Sequence, residues 1–199
     1  MPGWSWGEDD ADELTIREGL NAVRQMQRLV ALIGEAVQAG AGFELCVATI
    51  CELNALATEG TTDNPGVLRT RDLEIFGSQH EPPPWQEVAQ LVDELCAHVN
   101  EGDPDPLDVA AHVLWRLNWI HPFEEGNGRT ARAVSYLVLC AFAGQALPGE
   151  RTLVELLVWQ KLRYYRALEA ADQAWREGRL DVSAMRSLLE ALLEQLGIE

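Results

Sequence analysis

The chain is poor in basic residues and has no long apolar run. It has 15 Lys and Arg among 199 residues, against 32 Asp and Glu, so its formal net charge is −17. Nucleic-acid binding draws on clustered Lys and Arg, so no nucleic-acid partner is expected. No stretch reaches the roughly 20 apolar residues that span a bilayer, and residues 1–10 lack signal-peptide character. We expect a cytoplasmic protein without a membrane partner, in which a local basic pocket holds any anionic ligand.

Cysteine is also scarce. The four cysteines, Cys46, Cys51, Cys96 and Cys140, show no C-x-x-C spacing, which disfavours a zinc site or a disulfide framework. Their apolar, helix-like surroundings predict buried free thiols. With 47% hydrophobic residues, a chain of this length predicts one globular domain.

Helical periodicity dominates, and the predicted fold class is all-α. We divide the chain into an acidic leader (1–13), a helical domain (14–175, with its core at about 43–175) and a C-terminal helix (176–199) packed on the same domain. Helices are predicted over about 43–58, 85–99, 128–143, 152–175 and 182–196. The 128–143 helix is apolar on nearly every side, which is typical of the buried centre of a domain. An earlier helix ends at Gly40 and Gly42, and its predicted inward stripe is Ile16, Leu20, Val23, Val30, Ile33 and Val37.

One segment carries a strand signal. Leu73 and Ile75 alternate with Asp72 and Glu74, a Gly-Ser turn follows, and three prolines (82–84) end the segment. This pattern predicts a short, exposed β-hairpin over about 70–81.

The chemistry concentrates between two helices. Asp105 is a predicted N-cap with Pro106 at the first helical position, and Pro122 favours an end of that helix at about Ile120. The inward stripe of the helix, Ala110, Val113, Leu114 and Leu117, extends in register to His121. His121 is therefore predicted to emerge at the helix end on the inward side.

The next residues predict an anion site. Gly126-Asn127-Gly128 lets a ligand approach the main chain closely, and the N–H groups and dipole at the following helix start favour phosphate. Arg129 and Arg132 share one face of that first turn, where cations oppose the dipole unless an anion lies between them. Glu125 is a hard oxygen ligand suited to Mg²⁺.

Each of these features has an ordinary alternative. A lone histidine at a helix end is most often a cap or a packed residue, Asn-Gly is usually a turn, and paired arginines are usually solvated or bound to carboxylates. Phe123 is assigned to the core. The coincidence of a base, a metal ligand, an anion-binding loop and two cations within twelve residues favours a functional site.

This segment, residues 121–132, matches H-x-F-x-[D/E]-G-N-G-R-x-x-R at each specified position, and the chain thus resembles the Fic (filamentation induced by cAMP) family. The segment 65–69 is similar to the family's P-G-x-x-R, 73–83 to its target-binding flap, and 165–168 to its late helix. The likeness covers roughly residues 14–175. It implies a Fic-type helical domain with a central buried helix and one β-hairpin flap.

The resemblance implies a protein adenylyltransferase that moves AMP from ATP to a hydroxyl of a target protein. His121 would be the general base, and Glu125 would hold Mg²⁺. The phosphates would be bound by Gly126, Asn127, Gly128, Arg129 and Arg132. The flap residues Leu73, Glu74 and Ile75 would pair with the target as an added strand.

The resemblance leaves alternatives open. Phosphate-transferring Doc relatives typically carry lysine at the position of Gly128, so the intact motif disfavours that reaction. Phosphocholine transfer, removal of AMP and a non-catalytic binding module stay open. Many relatives also carry an inhibitory motif, [S/T]-x-x-x-E-[G/N], whose glutamate pairs with the last motif arginine, here Arg132. Glu18-Gly19 fits its end, but Leu14 replaces the hydroxyl residue. Glu18 is thus an inhibitory candidate or a solvated flanking residue, and a separate antitoxin is a further candidate partner.

Overall fold

The computed structural model describes residues 8–75, 77–101, 105–147 and 152–198, with side chains from residue 13 onward. The described chain is helical, which confirms the all-α prediction. A 3₁₀ turn at Gly40–Gly42 follows the first helix. The helices are α1 (Glu8–Ala39), α2 (Val47–Thr58), α3 (Trp85–Asn100), α4 (Pro106–Ile120), α5 (Asn127–Ala143), α6 (Leu153–Trp159), α7 (Lys161–Arg176) and α8 (Ser183–Gln195).

Helix α5 is the central helix of the domain, as predicted. It packs against α1, α2, α4 and α6, and nearly its whole length is buried. A helix that is apolar all round can satisfy its surface only in this position. Helix α8 packs against α4, α6 and α7, so it lies on the same body. The domain boundaries at residues 13 and 175 stay predictions.

The ends of α4 are set by local chemistry. The Asp105 side chain accepts hydrogen bonds from the N–H groups of Leu107 and Asp108, and Pro106 fills the first turn. The helix ends at Ile120, directly before His121-Pro122. Both predicted helix ends are confirmed, and the end at Ile120 determines where His121 leaves the helix.

The predicted packing face of α1 is wrong for its N-terminal half. Of the predicted stripe, Ile33 and Val37 do pack inward, whereas four other members are exposed. The packed face carries Asn21 and Gln25, whose amides donate to the carbonyls of Glu59 and Leu53 on the α2 side. The face of α1 that carries these two amides therefore packs inward, because both amides find main-chain hydrogen-bond partners there. The exposed members are Ile16, Leu20, Val23 and Val30.

The β-hairpin is not confirmed. The described residues of 70–81 contain no strand; the Ser78 N–H donates to the Ile75 carbonyl across a turn, and Gly77 adopts φ +76°. An isolated two-stranded ribbon is marginal in water, and the described residues contain no further strand that could support it. We keep the name flap loop for residues 71–83.

Two smaller predictions also need correction. The single helix predicted over 152–175 is divided at Gln160, which lies outside helical geometry with φ −96° and ψ 35°. Cys46 is exposed and Cys51 half-buried, so the buried-thiol prediction holds for Cys96 and Cys140. No helix in the described parts of the chain is both long and apolar enough to cross a bilayer.

Candidate active site

His121 projects from the C-terminal end of α4 towards a cavity. Its N–H still donates to the Leu117 carbonyl, but its φ of +50° and ψ of +60° place it in the left-handed region. Among the described residues it is the one non-glycine residue with positive φ. Non-glycine residues rarely adopt this conformation unless the surroundings enforce it, and such residues cluster at functional sites.

The imidazole is held as a neutral base. Nδ1 lies 3.3 Å from the Asn118 carbonyl, which can only accept, so Nδ1 carries the proton and Nε2 keeps its lone pair. Burial lowers the pKa of His121 to about 4; the Asn118 carbonyl opposes this shift, and His80 and Arg69 add to it. The ring is therefore uncharged at neutral pH and able to accept a proton at Nε2.

The glycine loop is rigidly braced. The Asn127 side chain accepts from the Phe123 N–H and donates to the Phe123 carbonyl, at 2.9 and 2.8 Å. Gly126 is the N-cap of α5 with φ +77°, and no side chain caps the helix start. The amide of Asn127 is thus occupied by the loop itself, which leaves the main-chain N–H groups at the start of α5 for an anion.

Asn54 on α2 holds this loop from behind, although no motif in the sequence marks this residue. Its Nδ2 donates to the Glu125 carbonyl at 2.9 Å and to the Thr130 hydroxyl at 3.1 Å. Its Oδ1 accepts from the Gly66 N–H at 3.0 Å. Asn54 is buried, so it links the loop to the segment that leads to the flap.

The two motif arginines have different surroundings. Arg132 lines the cavity and its Nε is buried without a partner, while Arg129 faces α1. Burial raises the pKa of the Tyr164 hydroxyl to about 12, and the guanidinium of Arg132 beside it partly opposes that shift by its charge and by hydrogen bonding. That hydroxyl also accepts from Asn118 Nδ2 at 2.8 Å. Asn118 therefore touches His121 through its carbonyl and Tyr164 through its amide.

Glu18 does not pair with the predicted partner. Its Oε1 lies 3.4 Å from Arg129 Nη1, so the observed ion pair uses the first motif arginine rather than Arg132. The reason is the corrected packing face of α1, because Glu18 lies one turn before the buried Asn21. Glu18 is thus turned towards the start of α5.

A cavity of about 700 Å³ opens beside these groups. His121, Gly128 and Arg132 line one part of it. Helix α7 and the flap loop line the rest. The cavity volume lies within the size range of small-molecule sites. Of the three predicted flap residues, Ile75 lines the cavity, Leu73 is half-buried and Glu74 is exposed. The α7 and flap residues that line it include Tyr164, Tyr165, Leu168, Asp172, Arg176 and His80.

His80 attaches the end of the flap loop to the body. Its Nε2 lies 2.7 Å from the Trp119 carbonyl, and its Nδ1 lies 3.7 Å from Asp172 Oδ2. The other Asp172 oxygen accepts from Trp115 Nε1 at 2.8 Å. His80 therefore holds this end of the flap loop against α4 and α7.

Glu125 is the candidate metal ligand, and its carboxylate is exposed beside the glycine loop. No group of three or more His, Cys, Asp or Glu side chains that could hold a metal occurs among the described residues. Mg²⁺ is commonly held by one or two carboxylates together with substrate phosphates and water. The residues present thus fit a metal that arrives with a nucleotide.

Comparison with known proteins shows similarity to one family. A model of the Fic/DOC family matches residues 44–139, which include α2 to α4, most of α5 and the motif. A protein adenylyltransferase Fic of Nematostella vectensis is 34% identical over 74 residues, which cover 36% of this chain and 17% of that protein. A probable protein adenylyltransferase of Aquifex aeolicus is 25% identical over 169 residues, covering 83% and 49%. Residues 44–139, just under half of the chain, are thus similar to the Fic/DOC family, and the chain spans at most about half the length of these curated relatives.

Solved structures support the fold. A Fic domain protein of Bacteroides thetaiotaomicron superposes with a TM-score of 0.66 at 20% identity, covering 87% of this chain and 70% of that chain. A Fic family protein of Desulfovibrio desulfuricans gives 0.62 at 20% identity, covering 86% and 52%. At this identity the likeness concerns the fold, which is the Fic fold.

Proposed function

We propose that this protein is an adenylyltransferase that transfers AMP from ATP to a hydroxyl of a protein. The observation that carries the proposal is a neutral imidazole, His121, in the same cavity as Gly128 and the unpartnered Nε of Arg132. A base and an anion-binding helix start within one cavity fit transfer of a phosphorus-bearing group. The names of the curated relatives support the same activity.

In this mechanism the α-phosphate lies at the start of α5, facing His121. The target hydroxyl oxygen attacks the α-phosphorus while its proton passes to His121 Nε2. The bond between the α-phosphorus and the bridging oxygen to the β-phosphorus breaks, and pyrophosphate leaves. The N–H groups from Gly128 onward, with Arg132, stabilise the charge on the phosphate oxygens and hold the chain in line.

Glu125 would hold a Mg²⁺ ion together with the phosphates, and that ion would neutralise part of their charge. The part of the cavity that α7 lines would take the base and ribose. The flap loop, with Leu73, Glu74 and Ile75, would receive the target segment through main-chain hydrogen bonds, because residues 72–75 form no ladder within the described chain.

Labelled ATP tests the proposal. ATP labelled at the α-phosphate should label this chain or lysate proteins, and ATP labelled at the γ-phosphate should not. His121→Ala should abolish labelling and keep ATP binding, whereas Arg132→Ala should weaken ATP binding in calorimetry. Label carried from the γ-position would indicate phosphate transfer, and labelling of His121→Ala at the wild-type rate would remove His121 from the mechanism.

Removal of AMP from a modified protein is a second candidate, because Glu18 lies beside Arg129 at the start of α5. A carboxylate there could orient a water molecule. Incubation of AMP-labelled lysate with wild type and Glu18→Gln would distinguish the two, since only this reaction needs the carboxylate to release the label.

A further inference from the structure

Arg69 is a buried cation that contacts main chain rather than a buried carboxylate. Its side chain is fully buried, and its nearest acidic group, Asp72, is exposed and 3.7 Å away. Burial lowers the pKa of the Arg69 guanidinium, and Asp72 only partly opposes that effect. Burying a charge destabilises the folded state unless its donors are hydrogen bonded, so the partners of this guanidinium must compensate for its burial.

The guanidinium of Arg69 donates to four carbonyls from two different segments. Nε donates to His121 at 2.9 Å, and Nη2 also reaches Ile120 at 3.4 Å. These carbonyls lie at the C-terminal end of α4, where the helix dipole favours a cation. The other two carbonyls belong to Arg71, at 3.1 Å, and Pro83, at 2.5 Å, which are the two ends of the flap loop.

The main chain of Arg69 adds a fifth bond, since its N–H donates to the Pro122 carbonyl at 2.8 Å. The main chain is therefore held at two consecutive carbonyls, that of His121 and that of the next residue, Pro122. This accounts for how a non-glycine residue is kept at φ +50°, with its imidazole aimed into the cavity. Lysine, with one point charge, cannot reproduce a fork of five N–H donors.

We propose that Arg69 is a positioning residue that fixes His121 and the two ends of the flap loop relative to each other. This inference rests on the proposed function of His121. Removal of the fork frees the His121 carbonyl and both flap ends, while the phosphate site at α5 keeps its own bracing through Asn54 and Asn127. Arg69 thus determines the positions of the general base His121 and of the flap loop, whereas other residues bind the nucleotide.

The test uses Arg69→Lys and Arg69→Met, with Arg116→Met as a matched control. Arg116 is a second desolvated arginine, stacked on Trp119 and Trp175, and its guanidinium makes none of the His121 contacts. Three quantities are measured for each: the initial rate of labelling from α-labelled ATP, the dissociation constant of ATP by calorimetry, and amide hydrogen exchange of peptides covering 70–85.

We expect both Arg69 variants to label at least roughly tenfold more slowly, with ATP affinity within about twofold of wild type and faster exchange in the flap loop. Arg116→Met should change none of the three. If Arg69→Met does not fold, Arg69→Lys alone decides. Normal labelling, or a loss of ATP affinity equal to the loss of labelling, would overturn the inference. Absence of labelling in wild type would refute the proposed function, and flap exchange would then still decide whether Arg69 anchors the loop.

Discussion

The carboxylate of Glu18 lies 3.4 Å from the guanidinium of Arg129, so α1 and the first turn of α5 are joined by an ion pair at the anion site. Both side chains are partly exposed, at 49% and 25%. The stability of such a pair is modest, about 1 kcal/mol or less. Its consequence for ligand binding is larger, because the pair occupies a cation at the helix start that would otherwise face phosphate.

Removal of this carboxylate should activate the protein. Glu18→Gln frees Arg129 for the β- and γ-phosphates, so we expect labelling from α-labelled ATP to rise roughly tenfold, equivalent to about 1.4 kcal/mol of barrier. Glu13→Gln is the matched control, since Glu13 lies on the same helix and pairs with Arg17 at 2.9 Å. Equal labelling in wild type and Glu18→Gln, with both folded, would show that α1 does not restrain the site.

His121 should titrate far below an ordinary histidine. Its pKa is lowered to about 4 in the folded state against 6.5 unfolded, because burial disfavours the charged ring. Between these values the unfolded chain binds more protons, so His121 contributes stability above pH 6.5 that is lost as the pH falls towards 4. His112, also buried and lowered to about 4, acts in the same direction.

Histidine ring signals followed by NMR would check this, with assignment from His121→Ala. The expected result is no titration of His121 between neutral pH and about pH 5. A midpoint near 6.5 would mean that the ring is solvated, and the neutral-base geometry would then be wrong.

The bracing of the glycine loop can be tested at Gly126. A Cβ there would lie 2.5 Å from Thr58 Cγ2 and 3.0 Å from Asn54 Nδ2, at a φ of +77°. Gly144 ends the same helix at φ +67° with no neighbour within 4 Å, so Gly144→Ala measures the backbone effect alone. We expect Gly144→Ala to lower the free energy of unfolding by about 1 kcal/mol.

Gly126→Ala should lower the free energy of unfolding by clearly more, because a collision is added to the backbone strain. It should also weaken ATP binding, since the loop must move away from Thr58. Urea unfolding and calorimetry measure the two effects. Equal destabilisation in both variants would indicate that the loop moves easily to accommodate the added methyl group and is not preorganised.

The sequence predicts features whose determinants are local. The Asp105 cap, the end of α4 before Pro122 and the start of α5 at the glycine loop depend on residues within a few positions, and all three are confirmed. The motif residues come together for the same reason, because His121 and Arg132 flank one tight connection between two packed helices.

Features decided by distant partners could not be predicted. The inward face of α1 is chosen by the α2-side carbonyls of Leu53 and Glu59, which accept from Gln25 and Asn21, and no pattern within α1 records them. Asn54 looked like an ordinary helical residue, yet it braces the loop over 71 positions of sequence. The alternation at Leu73 and Ile75 predicts a strand, but the described chain contains no strand with which it could pair.

Tyr164 should matter for nucleotide binding through Arg132. Its hydroxyl accepts from Asn118 and lies against the guanidinium of Arg132, so it orients a cation whose Nε has no hydrogen-bond partner. Tyr164→Phe keeps the ring and removes only this hydroxyl. We expect ATP to bind roughly fivefold to tenfold more weakly, equivalent to about 1–1.4 kcal/mol, which is the size of a typical net hydrogen bond.

Two comparisons isolate that effect. Tyr136→Phe removes another buried phenol hydroxyl, from the core of α5, and should change stability without changing ATP affinity. In an Arg132→Ala background, Tyr164→Phe should have no further effect on ATP affinity, because the hydroxyl then has no cation to orient. An additive loss in the double variant would show instead that Tyr164 contacts the nucleotide directly. Wild-type affinity in Tyr164→Phe would mean that Arg132 is positioned by the helix alone.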